Sequence, residues 1–246
     1  MFPIRDHNPS GRTPFVTLAL IAANVLVFLS YWFGLPEGPA LDQFFFDWGL
    51  IPLRLIETGD WHTVFTSMFL HGGWMHLLGN MLFLWVFGDN LEDLMGHARF
   101  LLFYLAGGVG AALMQVGADP ASVIPMVGAS GAIAAVMGGY LLLYPRARVD
   151  VLVIIIFFFR IFPIPAWIVL GFWFAMQLLG GFTNPTDMGG VAYWAHAGGF
   201  LAGIILCLPA FLRRGGPAFW HRTAGHPDHP EASYAPSRLP VVRRRR

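Results

Sequence analysis

The chain has 246 residues, of which 56% are hydrophobic and only 12% charged, with a formal net charge of +1 and a mean hydropathy of +0.60. That is too apolar for a water-soluble domain, and the sequence lacks the two-residue alternation of a lipid-facing barrel, so it reads as an all-α, polytopic membrane protein. A charge so close to neutral gives no footing for nucleic acid, and the single cysteine, Cys207, excludes an intrachain disulfide and a cysteine-based zinc site.

A short N-terminal segment, residues 1–13, precedes an apolar run from Phe15 to Phe33. At 1.5 Å per residue this run is about 28 Å long, enough to cross the hydrocarbon core. No small-residue cleavage site follows it, so it is expected to be a retained first span. The loop from Gly34 to Asp60 mixes Glu37, Asp42, Asp47, Glu57 and Asp60 with Phe44, Phe45, Phe46 and Trp48, a composition that predicts short interfacial helices. A second span is expected within Phe65 to Phe87, interrupted at His71, Gly72 and Gly73, and a third from about Phe100 to Val116.

The fourth apolar helix, from Met126 to Tyr144, begins with Gly128, Ala129, Ser130 and Gly131. Pro125 just upstream suits a helix start, so Ser130 is expected in a first turn whose unpaired N–H groups and positive dipole end favour an anion. From Val149 to Gly181 the chain is nearly all apolar, broken by Arg160, Pro163 and Pro165. Val151 to Phe162 therefore reads as interfacial or re-entrant, and Pro165 to Phe182 as the fifth span. The sixth, Ala192 to Leu212, carries His196, and the tail over residues 213–246, rich in Pro, His and Arg and closing on Arg243 to Arg246, is expected to be disordered from Gly215 onward and to touch anionic lipid headgroups.

Six spans put both ends on one side, and there is no lysine: all 15 basic residues are arginine. Arg5, Arg12, Arg99, Arg146, Arg148, Arg213 and Arg214 fall on the side of the termini, whereas the opposite loops hold Arg54 alone. The positive-inside rule then makes both ends cytoplasmic.

With that topology Ser130 and His196 lie at similar shallow depth near the outer face, and His76 and Asn80, four residues apart, share one helix face. Ionisable groups at membrane depth are costly and point to function. Small residues continue both lines, Ser130, Ala134 and Gly138 on one helix and His196, Gly199 and Gly203 on the other. Such stripes permit close helix contact, which would let His196 take the Ser130 proton and make the hydroxyl a nucleophile. No carboxylate lies in either helix, so a Ser-His dyad is expected rather than a triad. The Gly-x-Ser-x-Gly elbow would need glycine at Ala132. A zinc site from His71, His76 and His196 lacks the H-E-x-x-H pattern and any intramembrane base, so no metal and no cofactor is expected. Asn24, Gln115 and Gln177 read as helix-packing hydrogen-bonders.

From about Pro14 to Leu212 these residues resemble the rhomboid family of intramembrane serine proteases. Gly128, Ser130 and Gly131 look like its GxSG motif, with Ser130 as nucleophile. Ala195 and His196, followed by Gly199 and Gly203, look like its last-helix motif, with His196 as base. His76 and Asn80 look like its HxxxN pair, which with the serine amide holds the oxyanion. Glu92 resembles a structural acidic residue on the cytoplasmic side, and His71 a structural histidine. The resemblance implies a six-transmembrane-helix rhomboid-like bundle over residues 14–212 and a water-containing cavity open to the outer face. It also implies a gate formed by the fifth helix and the loop from Thr183 to Val191, and cleavage of transmembrane protein substrates in the cell membrane. Two departures stand out: the family's first-loop Trp-Arg pair is Trp61-His62 here, so the loop should be anchored differently, and the tyrosine some relatives place four residues after the nucleophile is Ala134, so another aromatic should orient His196. A rhomboid-like pseudoprotease that binds clients without cutting them is the alternative, but a pure binder has no need of Ser130 and His196. A transporter would show internal repeats, which are absent.

Overall fold

The computed structural model describes residues 2–155, 158–184 and 190–232. The arginine-rich end at residues 243–246 and residues 185–189 of the expected gate loop lie outside them. Within the described residues the architecture is mostly helical, with one small sheet at the end of the molecule opposite the serine.

Helix α1 (Phe15–Gly34) starts without an acidic residue or side-chain cap of its own. Its orphan N–H groups are met instead by Glu92, near the end of α5 (Trp74–Met95). The carboxylate accepts from the Val16 and Thr17 amides, both at 2.8 Å, from Thr17 Oγ1 at 2.7 Å, and pairs with His97 Nδ1 at 2.6 Å. A carboxylate 1% exposed at a helix N-terminus is well placed by both hydrogen bonding and the helix dipole.

The acidic, aromatic loop folds into α2 (Pro39–Trp48), α3 (Pro52–Thr58) and α4 (His62–Thr66), the first two with proline in the first turn, where its missing N–H costs nothing. Arg54 answers the question raised by His62. Its guanidinium donates to the carbonyls of Phe46, Asp47 and Gly49 at the end of α2 and pairs with Asp60 at 2.9 Å, so the loop is tied by an arginine from α3 rather than one beside Trp61.

Helices α6 (His97–Ala118), α7 (Ser130–Leu143), α8 (Ala166–Thr183) and α9 (Tyr193–Arg213) complete the bundle. Four helices, α1, α6, α8 and α9, are long and apolar enough to cross a membrane among the described residues. α7 has 14 residues, and α5 carries Asp89, Glu92 and Asp93 near its end. The expected second span is displaced: Phe65 to Phe69 belong to α4 and a short 3-10 turn, and the long helix begins only at Trp74, after the glycine pair.

The stretch expected to be interfacial or re-entrant forms a β-hairpin. β2 (Arg148–Ile155) pairs antiparallel with β3 (Phe158–Pro165), from Arg148 opposite Pro165 to Ile155 opposite Phe158. Its β-branched and aromatic run favours a strand, and Pro163 and Pro165 are tolerated because β3 is an edge strand. β1 (Phe2–Asp6) adds to the other side of β2, with an irregularity between Pro3 and Arg5. Arg5 and His7 then reach Asp150, each at 2.6 Å.

The tail differs from expectation as well. Residues 217–223 form α10 (Pro217–Thr223), with Phe219 4% exposed and Trp220 Nε1 donating to the Leu142 carbonyl at 2.9 Å. Beyond it the Ala232 amide donates to His7 O at 2.7 Å, and His229 meets Asp93 at 2.7 Å. Two aromatic anchors were hidden in a stretch whose average composition is that of a solvated tail. The N-terminal segment and the tail through residue 232 thus contact the helical bundle.

The sheet end also buries a carboxylate. Asp6, 6% exposed, accepts from Asn90 Nδ2 at 2.5 Å and from the Tyr140 hydroxyl at 3.1 Å. Burial first, and then the neighbouring Asp89 charge, push its pKa from 3.8 up to about 7, against the hydrogen bonds from Tyr140, Asn8 and Asn90. A folded state that keeps a proton the unfolded chain releases loses stability as pH rises between those two values and is level above them. The apparent Tm in detergent should therefore fall from pH 4.5 to pH 7 by an amount that Asp6→Asn removes; an equal slope in the variant would assign the pH dependence to another group.

Candidate active site

The loop before α7 is held from two sides. Leu50 and Met126 exchange backbone hydrogen bonds at 3.0 and 2.7 Å, and the Gly128 amide donates to Ser67 O at 2.9 Å. Gly128 has φ of +133°, and a methyl group built on it would lie 2.8 Å from His76 Nε2, so both conformation and space demand glycine. The chain turns there into α7, leaving Ser130 as its first helical residue. The first amides of that helix have no acceptor within it.

α9 approaches α7 backbone to backbone. A methyl group on Gly199 would stand 2.0 Å from the Gly131 carbonyl oxygen, one on Gly203 1.9 Å from that of Ala135, and one on Gly138 2.1 Å from that of Phe200. On α9, Gly199 and Gly203 meet Gly131 and Ala135, one position along from the expected line of Ser130, Ala134 and Gly138, of which Gly138 meets Phe200, and this contact sets His196 Nε2 2.8 Å from Ser130 Oγ. Gln115 of α6 supports the same turn, its Oε1 accepting from the Ala195 amide at 3.1 Å, one of the groups that α9 cannot satisfy itself.

On the far side of the ring, His196 Nδ1 lies 2.8 Å from Gln177 Oε1 on α8. Gln177 Nε2 donates to the Trp173 carbonyl at 3.2 Å, and the Trp173 ring stands 5.6 Å from the imidazole at 36°. Gln177 was expected only to pack helices, and Trp173 is the aromatic beside the histidine in the absence of a tyrosine at Ala134. The signal available in the sequence was depth: Gln177 and His196 both lie within about two turns of the same end of the bundle. An amide in an apolar helix does not, however, name its partner.

Ser130, His196 and His76 open on a cavity of about 610 Å³, also walled by Ser67, Gln115 and Gly128. His76, at the start of α5, receives a long 3.4 Å contact from the Gly72 amide at Nδ1, which leaves Nε2, the nitrogen facing Gly128, as the donor. Asn80 is brought less close. It is 7% exposed, its amide donates to the His76 carbonyl at 3.0 Å, and it is absent from the cavity wall among the described residues. His71 lies fully buried behind His76, ring centroids 5.1 Å apart, and its backbone N–H and C=O both bond the Tyr31 hydroxyl. Glu92 is at the opposite end of α5, where it caps α1.

Substituting a contact glycine tests whether backbone proximity makes the site. Gly199→Ala should lower stability by about 1–3 kcal/mol, the usual cost of overpacking, and part His196 from Ser130. Gly171→Ala, in open surroundings on α8, should not lower the Tm. Equal melting temperatures for the two variants in detergent would contradict the packing described.

Residues 58–213 match the model of the Rhomboid domain. The chain is similar to Rhomboid protease GluP of Bacillus subtilis, 31% identical over 204 residues, covering 80% of this chain and 36% of that protein. It is similar to Rhomboid protein 1, mitochondrial, of Saccharomyces cerevisiae, 30% identical over 193 residues, 76% of this chain and 51% of the relative. RHOMBOID-like protein 5 of Arabidopsis thaliana is 28% identical over 172 residues, 67% of this chain and 49% of the relative. The chain spans about a third to a half of the length of these relatives.

Proposed function

The chain belongs to the rhomboid family, and we propose that it is an active intramembrane serine endopeptidase that hydrolyses peptide bonds of transmembrane proteins in or near their membrane-spanning segments. The observation that carries this reading is the 2.8 Å contact between Ser130 Oγ and His196 Nε2 on the wall of a 610 Å³ cavity. A neutral imidazole takes the Ser130 proton as Oγ attacks the scissile carbonyl. The negative charge that develops on the carbonyl oxygen meets the Ser130 amide at the α7 N-terminus, His76 Nε2–H and, with a modest rotation, the Asn80 amide. The imidazolium then protonates the leaving amine, and a water from the cavity repeats the sequence on the acyl-enzyme.

We read α5 and α7 as crossing the membrane with α1, α6, α8 and α9, giving six spans over residues 14–212. α7, being short, would leave Ser130 below the outer surface, within reach of water through the cavity. The arginines at the sheet end support a cytoplasmic location for both termini and an external opening for the cavity. α8 is the lateral gate in this reading: Trp173 and Phe174 turn inward, Phe174 stacking on Phe200 at 4.6 Å, while Phe172 faces outward. A client-binding role without cleavage gives no reason for a hydroxyl and an imidazole held at hydrogen-bond distance.

Purified protein in detergent should cleave members of a panel of single-span membrane proteins, and Ser130→Ala and His196→Ala should each abolish cleavage, the double variant being no worse than either. A serine-directed phosphonate should label Ser130 in the wild type and scarcely react with His196→Ala. Activity should decline as acid protonates the imidazole. Cleavage at the wild-type rate by Ser130→Ala, or labelling at another serine, would end the protease reading. Loss of His76 should slow turnover about 10²-fold or more with little change in KM, as removal of an oxyanion donor does.

A further inference from the structure

Gln177 is 8% exposed on a helix with no ionisable residue, and its two polar atoms are committed in different directions. Nε2 donates to the Trp173 carbonyl, an acceptor with no proton to offer, and this fixes which way the amide is turned. Oε1 is therefore the atom 2.8 Å from His196 Nδ1. An oxygen at that position accepts, so Nδ1 carries the proton and Nε2 presents its lone pair to Ser130 Oγ. An amide that only packed helices would be served by any backbone carbonyl or amide; this one meets the ring that touches the serine.

We infer that Gln177 is the positioning residue of the hydrolytic site, holding His196 in the Nδ1–H tautomer and so making a Ser-His-Gln relay in place of a dyad. The inference rests on the protease reading above. A neutral acceptor suits the location, because an ionised carboxylate at membrane depth would carry a heavy desolvation cost, and the amide still steadies the imidazolium that forms during attack. The groups that face the imidazole are His76 of α5 across the cavity, Ser130 of α7, Gln115 of α6 near its backbone, Tyr193 one turn before it on α9, and Trp173 of α8. None is an acid, so Gln177 is the one acceptor at Nδ1 among the described residues.

The test compares the wild type with Gln177→Leu and Gln177→Glu, using full-length enzyme and a membrane substrate that the wild type cleaves. Gln177→Leu should lower kcat about tenfold, the effect of one buried neutral hydrogen bond, with KM within twofold. The acid limb of its pH profile should move to lower pH, since the imidazolium loses its acceptor. Gln177→Glu keeps an acceptor oxygen at that position whether or not it is ionised, so it should recover rate over the leucine variant and return the acid limb at least to its wild-type position. Wild-type kcat and an unmoved acid limb in both variants would overturn the inference. So would faster cleavage in Gln177→Leu with an unchanged pH profile, since that is the mark of a loosened gate. If Gln177→Leu does not fold, the nitrogen-15 shifts of His196 in histidine-labelled wild type, assigned by subtracting His196→Ala, decide the matter at neutral pH: a protonated Nδ1 supports the relay and a protonated Nε2 refutes it. Ser130→Ala is assayed alongside, so activity surviving in that variant marks failure of the protease reading and not of the relay.

Discussion

The contact of α7 with α9 is the constraint on which the remaining geometry rests. Helices in lipid gain little from burying apolar surface against one another, so association depends on close packing and on polar contacts made across the seam. Here three glycines, Gly138, Gly199 and Gly203, remove every atom that would separate the two backbones. Ser130 and His196 meet because each stands at the cavity end of that seam. α8 docks on the α9 face one step further out, with Gly180 against the Tyr193 ring and Phe174 stacked on Phe200, and this brings Gln177 to the back of the imidazole.

The molecule separates its polar chemistry by depth. The cavity wall carries Ser67, Ser130, His76, His196 and Gln115 and, among the described residues, no Asp, Glu or Arg, with the Gln177 amide behind His196. Most charged pairs collect at the sheet end, where Arg5 and His7 meet Asp150, His229 meets Asp93, and Glu92 closes the start of α1, while Arg54 and Asp60 pair in the first loop. Desolvating an ion is far more expensive than desolvating an amide that keeps its hydrogen bonds, and the division follows from that difference. The same reasoning accounts for an uncharged acceptor behind the histidine.

Much of this was legible in the amino-acid order. Helix starts near Phe15, Ser130, Ala166 and Tyr193 follow from proline and small-residue punctuation, and the small residues of α7 and α9 announce a close contact, although Gly199 and Gly203 meet Gly131 and Ala135 where Ser130 and Ala134 were expected. What escaped did so for physical reasons. The run from Val151 to Phe162 is apolar but for Arg160, and such a run has no period to tell a strand from a re-entrant segment. The order in the tail depends on Phe219 and Trp220, two residues in a stretch whose composition otherwise indicates solvation. Gln177 could be seen as a polar group at depth, yet its partner lies on another helix, and partner choice is a property of packing. Arg54 was read for its charge alone, while its work is to bind the carbonyl end of α2.

The pairing of β1 with β2 joins residues near position 5 to residues near position 150. During synthesis on a ribosome the first strand emerges long before its neighbour exists, and every helix from α1 to α7 is made in the interval. β1 cannot fold locally. It waits as an extended segment and closes a loop of more than a hundred residues, the kind of contact whose closure entropy makes it late. Asp6 in the same strand sits beside Asn90 of α5 and Tyr140 of α7, so its burial too joins residues far apart in the chain. A strand of five residues thereby works as a latch between the start of the chain and elements made long after it.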